Sequence, residues 1–511
     1  MKFYKTILVL IFLLAGFLRF YDISNNPPGL YIDEVSIGND AYSILKTGKD
    51  ESGQTFPLYF RSFGDYKMPV YIYSVASSMS VFGKNEFAIR FPSALAGTLT
   101  VIIIYFLLKN LLSLDGSGVL DKKFKYLPIL TSLLLAISPW HLQFSRAGFE
   151  VNQAVFIFLL ACLLVSYYLH KRNVWYLLGG FLLFVLTIYT YHIFRILSPI
   201  TLVILSIWLF RTMPKERIKL VWAAILSLLL IFPMLKFSLT QSGMERFSQT
   251  SAFAEYPAKT LLKKVETYPI VFLKNYFSFF SLNYLFSNGD GNGRHQIPDT
   301  GLLYLWQLPF ILLGLCALVK EKRSFLKYFI FGLLILSPIP GSIARPSPHT
   351  LRNLLSVIPF ITLTSIGIIL FLSKTQKYRK LLLVVIFFIV TYCFLSYLHL
   401  YYVHYPIVND LDWDGESKQA VIEAFKYEKN NYKIIVDDGL VNFIYYFNFY
   451  NTENLQKPVF VEEDWIKPKE WNGIRVLYVR PYYGIREKFG IIKNIMFSNQ
   501  NRDIAFQFWE Y

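Results

Sequence analysis

Cysteine and charge are both scarce in this chain, and each scarcity removes a class of protein. Only Cys162, Cys316 and Cys393 are present, and each falls inside an apolar run. They supply neither an extracellular disulfide framework nor a metal-ligand spacing, and they read as packing residues. Charged residues make up 17% of the 511 positions against 54% hydrophobic, far from the balance of a soluble protein and too long for one ordinary soluble domain. A small-residue cleavage site is missing as well. Basic residues precede an apolar segment between Lys5 and Phe20, as in a secretion signal, but Phe17-Leu18-Arg19-Phe20 is no cleavage motif, so an uncleaved first helix is expected. There is no internal repeat or low-complexity linker, which disfavours transporter folds built from duplicated halves.

What is present is a series of apolar runs punctuated by basic clusters. The net charge of +17 is distributed in short groups between those runs and forms no single stripe or tail, so nucleic acid is not expected as a partner. A bilayer core requires about 20 apolar residues per helix. By that ruler the chain is expected to cross a membrane about eleven times, near 5 to 20, 88 to 110, 126 to 140, 151 to 170, 174 to 190, 195 to 211, 219 to 236, 301 to 319, 325 to 340, 353 to 372 and 380 to 400. Lys2 and Lys5, Lys122, Lys123 and Lys125, Lys171 and Arg172, Arg211, Lys215, Arg217 and Lys219, Lys320, Lys322 and Arg323, and Lys374, Lys377, Arg379 and Lys380 then alternate onto one side. Basic residues in short loops mark the cytoplasmic side, so the amino terminus is expected inside and the carboxyl terminus outside.

The opposite side receives the long loops 21 to 87 and 237 to 300, short turns near 141 to 150, 191 to 195 and 341 to 352, and the tail. Within the first loop, Met68 to Phe82 is apolar but short and holds four serines, which fits an interfacial or re-entrant helix. In the tail, Lys433 to Val436 and Arg475 to Val479 read as strands and Ser417 to Tyr427 as an amphipathic helix. The expected fold is therefore mainly α, with a transmembrane domain over 1 to 400 and a small extracytoplasmic α/β domain over 401 to 511.

Polar residues on the outer side carry the chemistry. Asp33 and Glu34 are adjacent carboxylates just beyond the first span, where one could serve as a general base; an ordinary helix cap explains the pair about as well. Lys67, Arg146, Arg195, Arg294 with His295, and Arg345 with His349 and Arg352 all fall where the positive-inside tendency would not place cations. Singly, each reads as a snorkelling or headgroup-binding residue. Together they suit a shared phosphate, which Arg holds by a forked, charge-assisted geometry and Lys as a point charge. Arg146 and Glu150 stand four apart and can simply pair along a helix face. Tyr191, His192 and Arg195 in the run from Tyr189 could line a sugar or phosphate pocket, although an interfacial aromatic belt has the same composition. The stretch Asn288-Gly289-Asp290-Gly291-Asn292-Gly293-Arg294-His295 matches neither a P-loop nor a dinucleotide fingerprint. Its glycines suit close backbone approach to a ligand, and with Asp290 as the one carboxylate in it a calcium loop is a remote reading.

Asp33-Glu34, Lys67-Met68-Pro69, Glu86-Phe87-Ala88-Ile89-Arg90-Phe91-Pro92-Ser93, the Arg146 to Glu150 segment, Arg294-His295 and the Pro-rich turn with His349 and Arg352 together resemble the membrane glycosyltransferases of the GT-C type. The likeness is greater to the protein O-mannosyltransferase and aminoarabinose-transferase-like group, family 39, and it spans most of residues 1 to 400. The resemblance implies transfer of a sugar from a polyprenyl-phosphate donor to a glycan, lipid or protein acceptor on the outer face of the plasma membrane. It implies Asp33 as catalytic base with Glu34 in support, and Lys67 on the donor phosphate. Arg294, His295, His349 and Arg352, then Arg195 and Tyr191, would contact phosphate or sugar. Single displacement would invert the anomeric carbon, with no cofactor and no metal required. In this group two prolines often follow the lysine, whereas Met68 intervenes here, which loosens the register of Lys67. Two rival classes share the gross pattern: a lipid or sugar transporter or flippase, which should carry ionisable residues deep in its spans, and a non-enzymatic envelope assembly protein, which would not need Asp33.

Overall fold

Long runs of Leu, Ile, Val and Phe have one economical structure in lipid: a helix, which satisfies every backbone N–H and C=O internally. The computed structural model describes residues 2–115, 124–256, 260–298, 300–321, 324–430, 432–437, 442–451, 456, 458–461, 476–481, 490–496 and 504–510. The basic residues Lys122, Lys123, Lys322 and Arg323, and Arg475 at the start of an expected strand, lie outside the described residues.

The fold is mainly α, and each of the expected apolar runs coincides with a helix. Seven helices among the described residues are long and apolar enough to cross a membrane, or eight counting one bent pair. The helices Val174–Ile188 and Gln307–Lys320 are apolar but shorter. By helix length and composition this is a multi-pass membrane protein. Two stretches read as loops also contain helices. Ile32–Thr47 and Leu261–Ser278 are interrupted by charged residues, and the latter also by Pro269, so neither forms the continuous apolar run that marks a span.

The chain divides into two compact units. The first comprises Met1–Tyr21, Pro57–Ser74 and Arg90–Tyr397. At its centre lies Leu351–Lys374, 83% of whose apolar window is buried, whereas only 6% of the window in Gln376–Val408 is covered. The central helix meets Gln307–Lys320 through reciprocal glycines. A Cβ on Gly314 would overlap the Leu363 carbonyl, and one on Gly367 would overlap the Phe310 carbonyl. Small residues at such a crossing let helix backbones approach closely where apolar burial alone gives no preference over lipid.

The bent pair has a local cause. Leu127–Ala136 and Pro139–Ser145 meet at 58°, with Pro139 opening the second helix. Proline cannot continue the hydrogen-bond ladder, so the carbonyls before it need other donors. Arg19, fully buried, supplies them. Its guanidinium donates to the Ala136 carbonyl at 3.3 Å and the Ala15 carbonyl at 3.0 Å, and it lies 2.7 Å from His141 Nδ1.

The second unit comprises Asp22–Phe56, Val75–Ile89 and Leu398–Tyr511. Its sheet has the order β4-β3-β5-β7-β6, where β3 is Lys433–Asp437, β4 Val459–Val461, β5 Val476–Pro481, β6 Gly490–Met496 and β7 Ile504–Glu510. β3 runs parallel to β4 and β5, while β7 runs antiparallel to β5 and β6. The expected tail helix is Gly415–Glu428. In its first turn, burial pushes the Glu416 carboxyl up to about 8, helped by the charges of Asp414 and Asp410, and its Oε2 has no hydrogen-bond partner.

Two outcomes are expected. Gly367→Ala forces Gln307–Lys320 away from the central helix and costs about 1–3 kcal/mol, read as a lower melting temperature of the detergent-solubilised protein. Folded Glu416 keeps its proton up to about pH 8, whereas the unfolded chain releases it near 4.5. The folded state thus binds more protons across that window, and stability falls as pH rises through it. Glu416→Gln removes that decline and stabilises the protein at pH 8 by up to about 4 kcal/mol, as unfolding measured at pH 5 and pH 8 would show.

Candidate functional site

In the first unit, a short hairpin sets the position of Lys67. β1, Phe60–Ser62, pairs antiparallel with β2, Asp65–Lys67, so that Phe60 faces Lys67 across the ladder. The ammonium of Lys67 donates to Ser62 Oγ at 2.6 Å and sits 5.3 Å above the Phe63 ring. The next residue carries the hairpin into the core, where buried Met68 packs with Ile188, Met234 and Phe237. Tyr59 stacks on Phe237 at 3.9 Å and Tyr66 meets it edge-on at 5.4 Å. Arg195 completes the group, with Nη2 3.0 Å from Met68 Sδ and its guanidinium 5.6 Å from the Phe237 ring centre. The Val70 amide donates to the Tyr189 carbonyl at 3.1 Å, which ties the hairpin to the turn bearing Tyr191 and Arg195.

That turn opens onto a cavity of about 560 Å³ lined by Tyr191, His192, Arg195, Ser238, Thr250 and Arg352 among its polar groups and by Leu228, Ile231, Met234, Leu235 and Phe247 among its apolar ones. No carboxylate belongs to the described lining. The cavity combines a cationic part with a long apolar wall, which is the complement of an anionic headgroup on a hydrocarbon chain. A second cavity, of about 590 Å³ and lined by Leu107, Phe158, Cys162, Trp208 and Phe325, is almost wholly apolar and holds none of the candidate residues.

Arg352 reaches the first cavity from the Pro-rich turn. It is buried, and its Nη1 donates to the carbonyls of Arg345 at 3.0 Å and Pro346 at 3.2 Å, bonds that hold the side chain against its own loop. Asp290 locks the same turn to the Gly-rich loop. Its Oδ2 accepts from His295 Nδ1 at 2.7 Å and from the Thr350 amide at 2.7 Å, while Oδ1 accepts from the Asn292 amide at 3.1 Å. His349 Nδ1 lies 4.0 Å from that Oδ2. Gly289 and Gly291, with φ of +51° and +76°, take the positive-φ conformations that bring Asp290 and His295 back to one point. Burial pushes the Asp290 carboxyl up, but the hydrogen bond and charge of His295, the Thr350 amide and nearby His349 outweigh it and hold Asp290 well below the usual carboxylate range. Arg294 sits at the edge of this loop, half-buried, with its carbonyl accepting from Gln143 Nε2 at 3.0 Å.

Arg146 has a different place. It is fully buried and its Nη1 donates to the Leu18 carbonyl at 2.7 Å, one residue before Arg19, so the two arginines brace the bent helix pair against the first helix. That is a structural duty.

Asp33 and Glu34 belong to the second unit, in the first turn of Ile32–Thr47, where the helix dipole favours a negative charge. Tyr31 occupies the cap position itself. Asp33 is half-buried and Glu34 fully buried. Their helix is fixed by the tail: Tyr446 donates to the Leu30 carbonyl at 3.0 Å, Asn39 to the Tyr445 carbonyl at 3.0 Å, and Tyr31 meets the Trp413 ring edge-on at 5.6 Å. A Cβ on Gly29 would overlap the Trp413 carbonyl, so only glycine fits before the carboxylates.

The first unit therefore gathers Tyr191, Arg195 and Arg352 at one cavity, with Lys67 joined to them through Met68, and sets His295, His349 and Arg294 on the two linked loops behind Arg352. The role of Asp290 as the tie between those loops was missed from sequence, because Thr350 and His349 reach it from 60 and 59 positions on.

Residues 66–237 match the family model described as dolichyl-phosphate-mannose-protein mannosyltransferase. No curated protein matches the sequence. Among solved structures, the chain is similar to ArnT from Cupriavidus metallidurans bound to undecaprenyl phosphate, with a TM-score of 0.60 at 12% identity over 99% of this chain and 98% of that one. Its similarity to the apo state of the same protein has a TM-score of 0.57 at 13% identity, over 100% and 98% of the two chains.

Arg146→Ala is expected to leave the Leu18 carbonyl without its donor and to destabilise the protein by about 2–3 kcal/mol. Arg352→Ala, whose side chain donates to two carbonyls of its own turn, should cost clearly less. Melting temperatures of the two variants in the same detergent compare them directly, and equal losses would remove the distinction between brace and site.

In its fold, and over residues 66–237 in its sequence pattern, the chain resembles the GT-C membrane glycosyltransferases of the family 39 kind.

Proposed function

We propose that this chain is an integral-membrane glycosyltransferase that takes a sugar from a polyprenyl-phosphate-linked donor. The observation that carries the proposal is the cavity in which Arg195, Arg352 and His192 share walls with Leu228, Leu235 and Phe247. A transporter would also bind a lipid-linked sugar, but the match of residues 66–237 to a mannosyltransferase family favours the enzyme. The ArnT of similar fold is a protein bound to undecaprenyl phosphate, which supports a ligand of the same class here.

In this reading the chain crosses the plasma membrane about eleven times with its amino terminus inside, and the reaction takes place on the extracytoplasmic face. The lipid chain lies along the apolar wall, with its phosphate against Arg195 and Arg352, and Lys67 is a further contact for that phosphate. Arg294, His295 and His349 support that end of the site, and Tyr191 contacts phosphate or sugar. Asp33 acts as general base, with the buried Glu34 beside it supporting the acceptor or the loop geometry. As the acceptor hydroxyl attacks the anomeric carbon, its proton passes to the Asp33 carboxylate, the new glycosidic bond forms, and the bond from carbon to phosphate oxygen breaks. The electron pair leaves with the phosphate, whose growing charge the fixed cations stabilise. Attack from the face opposite the leaving group inverts the anomeric configuration. The acceptor is a glycan, lipid or protein hydroxyl presented from outside.

The test uses purified full-length protein in proteoliposomes with a radiolabelled polyprenyl-phosphate sugar and a panel of envelope acceptors. Asp33→Asn should lower turnover by about 10²- to 10⁴-fold with normal expression. Arg352→Ala should lower kcat/KM for the donor by about 10- to 100-fold. Undiminished transfer by Asp33→Asn removes the base assignment. Labelled sugar that crosses the bilayer without forming a new glycosidic bond would instead identify a transporter.

A further inference from the structure

The side chains of Asp290, His295 and His349 form a largely buried cluster whose donor atoms all lie within 4.8 Å of one another. We propose that these three residues bind one divalent transition-metal ion, with zinc as the best match to the donor set. Two imidazoles and one carboxylate are borderline ligands suited to zinc and its neighbours. Calcium and magnesium demand a shell made of oxygens, which this cluster cannot supply.

The geometry is close to what such an ion requires. Zinc lies about 2.0–2.1 Å from nitrogen or carboxylate oxygen, so tetrahedral donors stand roughly 3.3 Å apart. The Asp290 carboxylate is 2.7 Å from His295 Nδ1 and 4.0 Å from His349 Nδ1, values on either side of that spacing. Side-chain shifts of about an ångström close the site.

The surroundings are those of a prepared ligand set. Backbone amides of Thr350 and Asn292 fix the two oxygens of Asp290, as outer-shell bonds do for a metal-binding carboxylate. The rings of Phe144 and Phe149, 5.5 and 6.2 Å from the His295 ring, wall off one side. His295 and Asp290 side chains are 4% exposed and His349 18%, which leaves His349 at the access side. Three protein ligands also leave a fourth position for water or another oxygen.

Such an ion would cross-link the Gly-rich loop to the Pro-rich turn and stiffen the segment from His349 to Arg352. Its presence does not depend on the glycosyltransferase reading, and its test reads metal rather than turnover. Full-length protein in detergent is stripped with a chelator and titrated with Zn²⁺ by calorimetry, and with Co²⁺ as a visible-absorption probe. The expected results are one equivalent per chain, a tetrahedral cobalt spectrum, an X-ray absorption shell of nitrogen and oxygen at about 2.0–2.1 Å, and a rise in melting temperature with zinc. Asp290→Asn and His349→Ala should each weaken binding about 100-fold. Should Asp290→Asn fail to fold, His349→Ala and the wild-type cobalt spectrum decide the matter. Absence of stoichiometric binding to folded wild type, undiminished affinity in His349→Ala, or a sulfur-containing shell would each overturn the proposal.

Discussion

One buried carboxylate governs the cationic half of this protein. Asp290 receives His295 from its own loop and the Thr350 amide from a turn far along the chain, and both bonds are 2.7 Å long. An ionised carboxylate away from water is tolerated only when such donors surround it. The same bonds settle where the Pro-rich turn can lie. Arg352, two residues beyond Thr350, is thereby delivered to the cavity that Arg195 also lines.

A second constraint acts within the helices. A proline break in an apolar bundle exposes carbonyls that lipid cannot satisfy, and here Arg19 fills the gap while Arg146 bonds back to the helix that carries Arg19. Both arginines are fully buried, yet only one was suspected from sequence of being more than a surface cation. Position at a helix end does not separate a brace from a ligand contact. Arg146 donates to the Leu18 carbonyl of the first helix, whereas Arg352 donates to carbonyls of its own turn and lines a cavity.

Much of the fold was legible because lipid imposes a simple code. Apolar runs gave helices at each expected place, and the tail segments Lys433–Asp437, Val476–Pro481 and Gly415–Glu428 were found as strand, strand and helix close to their expected bounds. Helices such as Ile32–Thr47 and Leu261–Ser278 were not legible, since their mixed polarity matches neither a span nor a clean amphipathic stripe. For the candidate site, residue types suggested cations on the side opposite the basic loops, and of those named, Arg195 and Arg352 line one cavity. Pairings such as Asp290 with Thr350, or Met68 with Arg195, depend on chain segments distant in sequence. The tail shows a further limit of sequence reading. Tyr446, Tyr445 and Trp413 anchor the turn and helix that carry Asp33 and Glu34, so a region expected to be a separate domain instead helps to set the candidate base.

The proposed function requires that the cavity lined by Arg195 and Arg352 receives a lipid-borne phosphate. Cryo-electron microscopy of the full-length protein in nanodiscs with added polyprenyl phosphate tests it most directly. Phosphate density is expected within hydrogen-bonding distance of both guanidinium groups, with the hydrocarbon chain along Leu228 and Leu235. Phosphate bound elsewhere on the molecule, with this cavity filled by ordinary lipid tails alone, would contradict it.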